Sequence, residues 1–303
     1  MSNTTSPHNA QNWILLALLT LIWGTSYILI KKSLLGFTAI ELACLRISIS
    51  CVVALPFAIK GLKTIPRSKY PVIFLVGIFG SGAPAFLFSL SMTKSGSAIN
   101  GILNSLSPLW TLVIGYYLYK VAISAQKVWG VIIGFVGALV LVLGKGTATL
   151  QIDVLYSFLP VIATFCYGMS SNLTKQKLQN QNAIYTTALA MASMGLPVLV
   201  GLFFTEAPAK IASGTVWFPF ACVAALSIVG TLIAWMLFYR LVQRTDALFA
   251  ASVTYLIPIV AIGWGVMDNE VLSLIQIAGM VLILVGVYFT TRTTPGLSAQ
   301  KGS

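Results

Sequence analysis

The sequence predicts an all-α integral membrane protein: ten transmembrane helices arranged as two inverted five-helix repeats, with both termini in the cytoplasm. Three observations predict it. The 303 residues are 58% hydrophobic and only 8% charged, where a soluble domain carries about 25% charged residues, so lipid must cover much of the surface. Apolar runs recur along the chain, separated by short segments that hold the turn formers and charges. The two halves of the chain also align with each other.

The apolar runs fall at 13–31, 38–59, 71–92, 97–119, 126–144, 152–174, 183–204, 216–240, 247–267 and 271–291. A span needs about 20 apolar residues, so ten spans use roughly 200 and leave about 100 for loops and tails, too few for an extramembrane domain. The chain therefore divides into a polar N-terminal tail (1–12), a first repeat (13–146), a second, inverted repeat (152–291) and a C-terminal tail (292–303). The first run is longer than a signal-peptide core and lacks a small-x-small cleavage site, so it reads as a retained span.

Orientation follows from the basic residues. With the N-terminus in the cytoplasm, twelve Lys and Arg fall on the inner side: Lys60, Lys63, Arg67, Lys69, Lys120, Lys127, Lys175, Lys177, Arg240, Arg244, Arg292 and Lys301. Five fall outside: Lys31, Lys32, Lys94, Lys145 and Lys210. That excess favours cytoplasmic termini. Five of the six acids, all but Asp246, then lie outside or near the outer face. The net charge of +12 is spread singly over helix ends, which excludes a nucleic-acid surface as a partner site. Cys44, Cys51, Cys166 and Cys222 sit in apolar runs without a CxxC pair and read as small hydrophobes. The one histidine, His8, lies in the polar tail, and neither metal nor cofactor is expected.

The repeat is read from ordered matches. At an offset of 144, Thr20, Gly24 and Lys31 match Thr164, Gly168 and Lys175, while Trp23 meets Tyr167 and Ser26 meets Ser170. At an offset of 150, Gly80, Phe88 and Pro108 match Gly230, Phe238 and Pro258, and Ser81 meets Thr231. Ser124, Gly130 and Gly137 then match Ser273, Gly279 and Gly286. Five spans per half is an odd number, so the second half enters the membrane from the opposite side. Inverted repeats mark secondary transporters, whose substrate site lies near the midplane between the halves.

Two consecutive five-helix units, the Trp23-Gly24 pair, Arg46 inside span two and Pro108 and Pro258 within spans four and nine together resemble the EamA family of the drug/metabolite transporter superfamily, over about residues 13–291. The second unit departs from the pattern: Tyr167 replaces the Trp, and Ala190 faces Arg46 in the alignment. The resemblance implies export or exchange of amino acids or other small metabolites across the bacterial inner membrane.

Polar side chains inside a span usually face the bundle interior or a water-filled cavity. Asn100, Asn104, Ser107 and Thr111 are spaced 4, 3 and 4 apart and so fall within an arc of about 60°. Thr20 and Tyr27 in span one, Ser81 in span three, Thr164 in span six and Thr254 near Pro258 in span nine are further candidates. The paired amides of Asn100 and Asn104 favour a cavity lining, because they are costly in lipid; the smaller stripes serve equally well as helix contacts. Trp23, Tyr27, Tyr167, Trp235 and Tyr255 offer stacking surface for a flat or apolar substrate, or else pack as core and interface anchors.

Arg46 costs about 2.5–3.5 kcal/mol mid-span if unpaired. It either attracts a substrate carboxylate or is held by carbonyls or an acid of another helix; the second is favoured, since no polar stripe runs through it. Pro108 and Pro258 each remove a backbone hydrogen bond and bend their helices at equivalent positions, as expected of hinges beside a binding region. Spans five and ten carry glycines but almost no polar residues, and read as packing helices at the periphery or at a homodimer contact.

A small-molecule transporter accounts for these features. A channel-like facilitator would need a ring of charges or carbonyls. A membrane-embedded enzyme would need bases and ligands grouped in the spans; neither constellation is present in the sequence. Gly144-Lys-Gly146 lacks the spacing of a phosphate loop.

Overall fold

A computed structural model describes residues 10–120, 124–143, 153–244, 253–270 and 272–291. His8, Lys145, Asp246, Arg292, Lys301, the tails over 1–9 and 292–303, and the start of the ninth apolar run lie outside the described residues. Every regular element among the described residues is helical.

Helix α1 is Ala10–Ser33 and α2 is Ala39–Thr64. A capping box opens α2: Thr38 Oγ1 accepts from Glu41 N at 3.2 Å, and Thr38 N donates to Glu41 Oε2 at 2.7 Å, satisfying two of the helix's orphan groups. The third rod runs from α3 (Tyr70–Gly77) through a π-helical turn (Ile78–Gly82) into α4 (Ala83–Met92). The fourth joins α5 (Ser97–Leu103), a 3₁₀ turn (Asn104–Leu106) and α6 (Ser107–Tyr119). Then follow α7 (Ala125–Leu143), α8 (Val154–Lys177), α9 (Ala183–Leu202) and the short α10 (Ala207–Ala212). Asp153 and Asn182 cap α8 and α9 through the amides of Leu155 and Ile184, each at 3.0 Å. The eighth rod is α11 (Trp217–Ala225), a π-helical segment (Leu226–Ile233) and α12 (Ala234–Arg244); α13 (Val253–Met267) and α14 (Leu274–Thr291) close the chain.

Seven of these helices are long and apolar enough to cross a membrane: Ala10–Ser33, Ala39–Thr64, Arg67–Met92, Ser97–Tyr119, Val154–Lys177, Ala183–Leu202 and Trp217–Phe238. Three shorter apolar helices accompany them, at Ala125–Leu141, Leu256–Met267 and Leu274–Phe289. Helix α13, at 15 residues, measures about 22 Å at 1.5 Å per residue, against a hydrocarbon core of about 30 Å. Large apolar side chains, among them Ile14, Leu62, Val200, Phe204 and Leu274, are exposed around the bundle, as a lipid-facing surface requires.

The helices pair across the two halves. Helix α1 packs on α13 and on the α11–α12 rod; α8 packs on α6 and on the α3–α4 rod; α2 packs on α9, α5 on α13, and α7 on α14. Exchanging the halves maps this set of contacts onto itself. The correspondence reaches single residues. A Cβ added at Gly24 would lie 2.5 Å from the Val260 side chain, and one at Gly168 would lie 2.9 Å from that of Trp110; Val260 and Trp110 are 150 apart, as the repeat requires. Likewise Gly80 admits Ser170 Oγ, and Gly230 admits Ser26 Oγ. Between α7 and α14 the glycines let the backbones touch: a Cβ at Gly286 would lie 2.4 Å from Gly134 N. The glycine faces of the fifth and tenth apolar runs thus meet each other within the chain.

Both π-helical segments contain aligned residues, Gly80 and Ser81 in one, Gly230 and Thr231 in the other. π-bulges interrupt regular helix pairing and occur frequently at functional sites. Their recurrence at matched positions makes the middle of the bundle the irregular part of both halves.

Candidate functional site

The centre of the bundle is an aromatic chain running between the halves. Tyr27 (α1) meets Phe88 (α4) with ring centres 5.8 Å apart; Phe88 stacks on Tyr167 (α8) at 6.1 Å; Tyr167 meets Trp235 (α12) at 6.3 Å. Trp235 meets Trp23 (α1) at 5.9 Å, and both contact Phe238. The Trp23–Phe238 contact at 5.3 Å and the Tyr167–Phe88 contact are counterparts under exchange of the halves. Trp23, Tyr167 and Trp235 are half-buried, whereas Tyr27 and Phe88 are buried. Such edge-to-face and stacked pairs leave flat apolar walls with polar tips.

Arg46 reaches this chain from α2. It is only 8% exposed. Its Nε donates to Thr231 Oγ1 at 2.9 Å, and Thr231 in turn donates to Leu226 O at 3.0 Å across the π-helical segment. Thr231 is one turn from Trp235 on the same helical face. No described acid pairs with Arg46. Ser50 Oγ, one turn along α2, lies 2.8 Å from Arg46 O and 2.9 Å from Ser227 O, tying α2 to the same segment. A cavity about the size of one water molecule is lined by Val76, Gly80, Ser170, Thr187, Ala190, Met191 and Trp235.

The two proline sites are joined. Pro108 leaves Asn104 O without its helical donor, and Ser107 Oγ donates to that carbonyl at 2.7 Å. Pro258 leaves Thr254 O in the same position, and Ser105 Oγ donates to it at 3.2 Å from the facing helix. Asn100 and Asn104 are buried, with the Oδ1 of each lacking a partner among the described residues. The Asn100 amide turns back to Gly96 O at 2.9 Å. Thr20 and Thr164 also bond within their own helices, to Leu16 O and Val161 O. Ser81 is buried with no described partner for its hydroxyl. The Tyr255 side chain lies outside the described residues.

The structure therefore brings Trp23, Tyr27, Arg46, Tyr167 and Trp235 together. It sets Asn104, Ser107, Pro108, Thr254 and Pro258 at the junction of the α5–α6 rod with α13, and turns Thr20 and Thr164 inward onto their own backbones. Sequence reasoning missed Phe88 and Phe238 as aromatic members, although they match each other across the repeat, and missed Thr231 as the partner of Arg46.

It also missed a charged clasp at one end of the bundle. Lys31 binds Asp268 at 2.6 Å and Glu270 at 2.7 Å, and Lys32 pairs with Asp268. Glu270 further accepts from Ser97 N at 2.8 Å, Ser97 Oγ at 3.0 Å and Ala98 N at 3.0 Å, sealing the first turn of α5. Burial alone would raise the Glu270 carboxyl, but the Ala98 amide, Lys31 and the Ser97 amide hold it below its usual value. Lys31 and then Lys32 hold the Asp268 carboxyl down as well. A second pair joins Lys210 to Glu41 at 2.9 Å, with Glu206 at 3.6 Å, and raises the Lys210 ammonium above its usual value, mainly through the Glu41 hydrogen bond.

Comparison with known proteins agrees with this architecture. A solved structure superposes with a TM-score of 0.61 at 18% identity, covering 93% of this chain and 97% of that one; at this identity the likeness shows the fold alone. An uncharacterized transporter of Archaeoglobus fulgidus is 26% identical over 93% of this chain and 99% of its own length. A probable amino-acid metabolite efflux pump of Salmonella typhimurium is 23% identical over 93% and 96% of the two chains. An S-adenosylmethionine uptake transporter of Rickettsia prowazekii is 23% identical over 91% and 90%. The sequence profile of the EamA-like transporter family matches twice, at residues 11–143 and 155–292. With one such domain in each half and apolar helices throughout, this multi-pass membrane protein belongs to the EamA-like transporter family.

Proposed function

We propose that the protein is a secondary transporter or exporter of small organic metabolites, amino acids or related compounds, across a bacterial inner membrane. It crosses the membrane ten times as two inverted five-helix repeats, within residues 13–146 and 152–291, with both termini in the cytoplasm. The observation that carries the reading is the exchange symmetry of the packing: α1 on α11–α12 and α13 is matched by α8 on α3–α4 and α6. A bundle whose halves are near-equivalent has two packings of similar energy, one open to each side. Substrate occupies the space around the aromatic chain, with Thr20, Ser81, Asn100, Asn104, Ser107, Thr164, Thr254 and Tyr255 as further candidate contacts and Pro108 and Pro258 as hinges.

The Lys and Arg distribution supports the inside position of the termini. The Lys31–Asp268–Glu270 clasp is then at the outer face, so the present packing is closed to the outside. With no carboxylate or histidine expected mid-span, transport is uniport, exchange or indirectly proton-coupled. Relatives described as amino-acid metabolite efflux pumps and as an S-adenosylmethionine uptake transporter support small organic solutes as cargo.

The test compares metabolites exported by cells with and without the protein, followed by Asn104→Ala. Lower export at normal protein levels supports the site; identical export profiles with and without the protein refute the reading.

A further inference from the structure

The interior holds a charge whose counter-ion the described protein does not supply. A guanidinium carries five N–H donors, and Arg46 commits one of them, Nε, to Thr231. Its four Nη protons have no partner among the described residues, although the residue is 92% buried by its 8% exposure. The acids are engaged elsewhere. Glu41 and Glu206 hold Lys210, Asp268 and Glu270 hold Lys31 and Lys32, and Asp153 caps α8. Asp246 lies outside the described residues.

The geometry selects among possible counter-ions. Anchoring at Nε leaves the Nη1–Nη2 edge, whose parallel donors fit the two oxygens of one carboxylate. A phosphate dianion would call for more positive charge than one guanidinium, and Lys31, Lys32 and Lys210 are paired at the bundle end. The second half offers no equivalent site, because Ala190 stands at the matching position and lines the water-sized cavity. The surroundings specify the rest of the ligand. Thr231, which holds the guanidinium, is one turn from Trp235, and that ring continues through Tyr167 and Phe88 to Tyr27 as an apolar wall.

We propose that Arg46 binds the carboxylate of the transported molecule, whose flat or apolar remainder lies along the Tyr27–Phe88–Tyr167–Trp235 wall. This rests on the transporter reading and adds to it a fixed polarity: the cargo carries an acid at one end and an apolar group at the other. Thr231 is a positioning residue, holding the guanidinium through its Nε.

The test uses purified full-length protein and matched pairs of probes, each a carboxylic acid and its primary amide, over aliphatic and aromatic chains such as hexanoate with hexanamide and 3-phenylpropionate with 3-phenylpropanamide. Binding is read from tryptophan fluorescence and from thermal protection, and flux from counterflow in liposomes. Wild-type protein is expected to prefer the acid in at least one pair by roughly 10- to 100-fold, the worth of hydrogen bonds to a charged group. Arg46→Gln is expected to erase that preference, and Arg46→Lys to keep part of it. Thr231→Val retains the charge, and is expected to weaken acid binding several-fold while leaving amides unchanged, which covers the case of an unstable Arg46→Gln. Equal binding of acid and amide in every pair overturns carboxylate recognition, as does a preference that survives Arg46→Gln. Flux without acid preference leaves the transporter reading standing; absence of flux for every probe overturns both.

Discussion

Glu270→Gln tests the clasp with the smallest change of shape. Glu270 takes a 2.7 Å ion pair from Lys31, two hydrogen bonds from Ser97 and one from Ala98 N, and its side chain is 2% exposed. The glutamine amide keeps one oxygen but turns N–H donors toward the Ala98 amide or the Lys31 ammonium. Hydrogen bonds to charged groups are worth about 1.5–3 kcal/mol each, and a buried donor left unmatched costs about 1–3 kcal/mol. Removing one member of a buried ion pair costs about 3–5 kcal/mol in comparable cases, and that figure serves here because the separate contributions overlap. If the clasp exists only in the packing closed at this end, the equilibrium moves toward the open packing by about two to four orders of magnitude. Ile30→Cys, adjacent to Lys31 and 2% exposed, reports the change through its rate of labelling by a membrane-impermeant maleimide; the four native cysteines are buried and give the background. Adding Glu270→Gln is expected to raise the Ile30→Cys rate at least tenfold. A rate unchanged while the protein remains folded would show that the clasp does not hold this end shut.

Other perturbations follow from the same geometry. Because the Glu270 and Asp268 carboxyls are held below their usual values, they stabilise the clasp above the ordinary carboxylate range and lose that contribution as pH falls through the lowered values; Ile30→Cys labelling is expected to stay flat from pH 7 to about 5 and rise only below about 4. Ser105→Ala removes the hydroxyl bonded to Thr254 O and is expected to destabilise the fold by about 1–3 kcal/mol in thermal unfolding, with Ser105→Thr retaining most of the stability. Gly286→Ala drives a methyl to 2.6 Å from Gly130 O, so α7 and α14 must separate at a cost of about 1–3 kcal/mol; an unchanged unfolding temperature would contradict the close backbone packing.

The repeat was legible because matched glycines, prolines and aromatics survive where helix packing leaves no room for change: a Cβ added at Gly24 or Gly168 would lie 2.5 or 2.9 Å from its neighbour. The helix positions were legible for a simpler reason, since apolar runs and their polar ends are one-dimensional signals. The site was only half legible. Trp23, Tyr27, Tyr167 and Trp235 were found because large aromatics inside spans are conspicuous. The Arg46–Thr231 contact spans 185 residues of sequence and leaves no local trace. The π-helical segments are equally silent, since Gly80-Ser81 and Gly230-Thr231 read as ordinary small-residue stripes. The clasp joins Lys31 to Glu270, 239 positions away, and its members looked like the usual charges of span ends. Asn100 shows the limit of periodicity: it lies on the expected face, yet its amide hydrogen-bonds Gly96 O of its own helix.

If the halves exchange between two packings, cargo passes only when the clasp end opens. The direct measurement replaces Lys32 and Asp268 with cysteines and bridges them by a short, reducible bis-thiol reagent in liposomes, leaving the Lys31–Glu270 pair in place. Flux of a bound carboxylate is expected to fall to background when the bridge forms, confirmed by mass, and to return when it is reduced. Undiminished flux through the bridged protein would contradict alternating access.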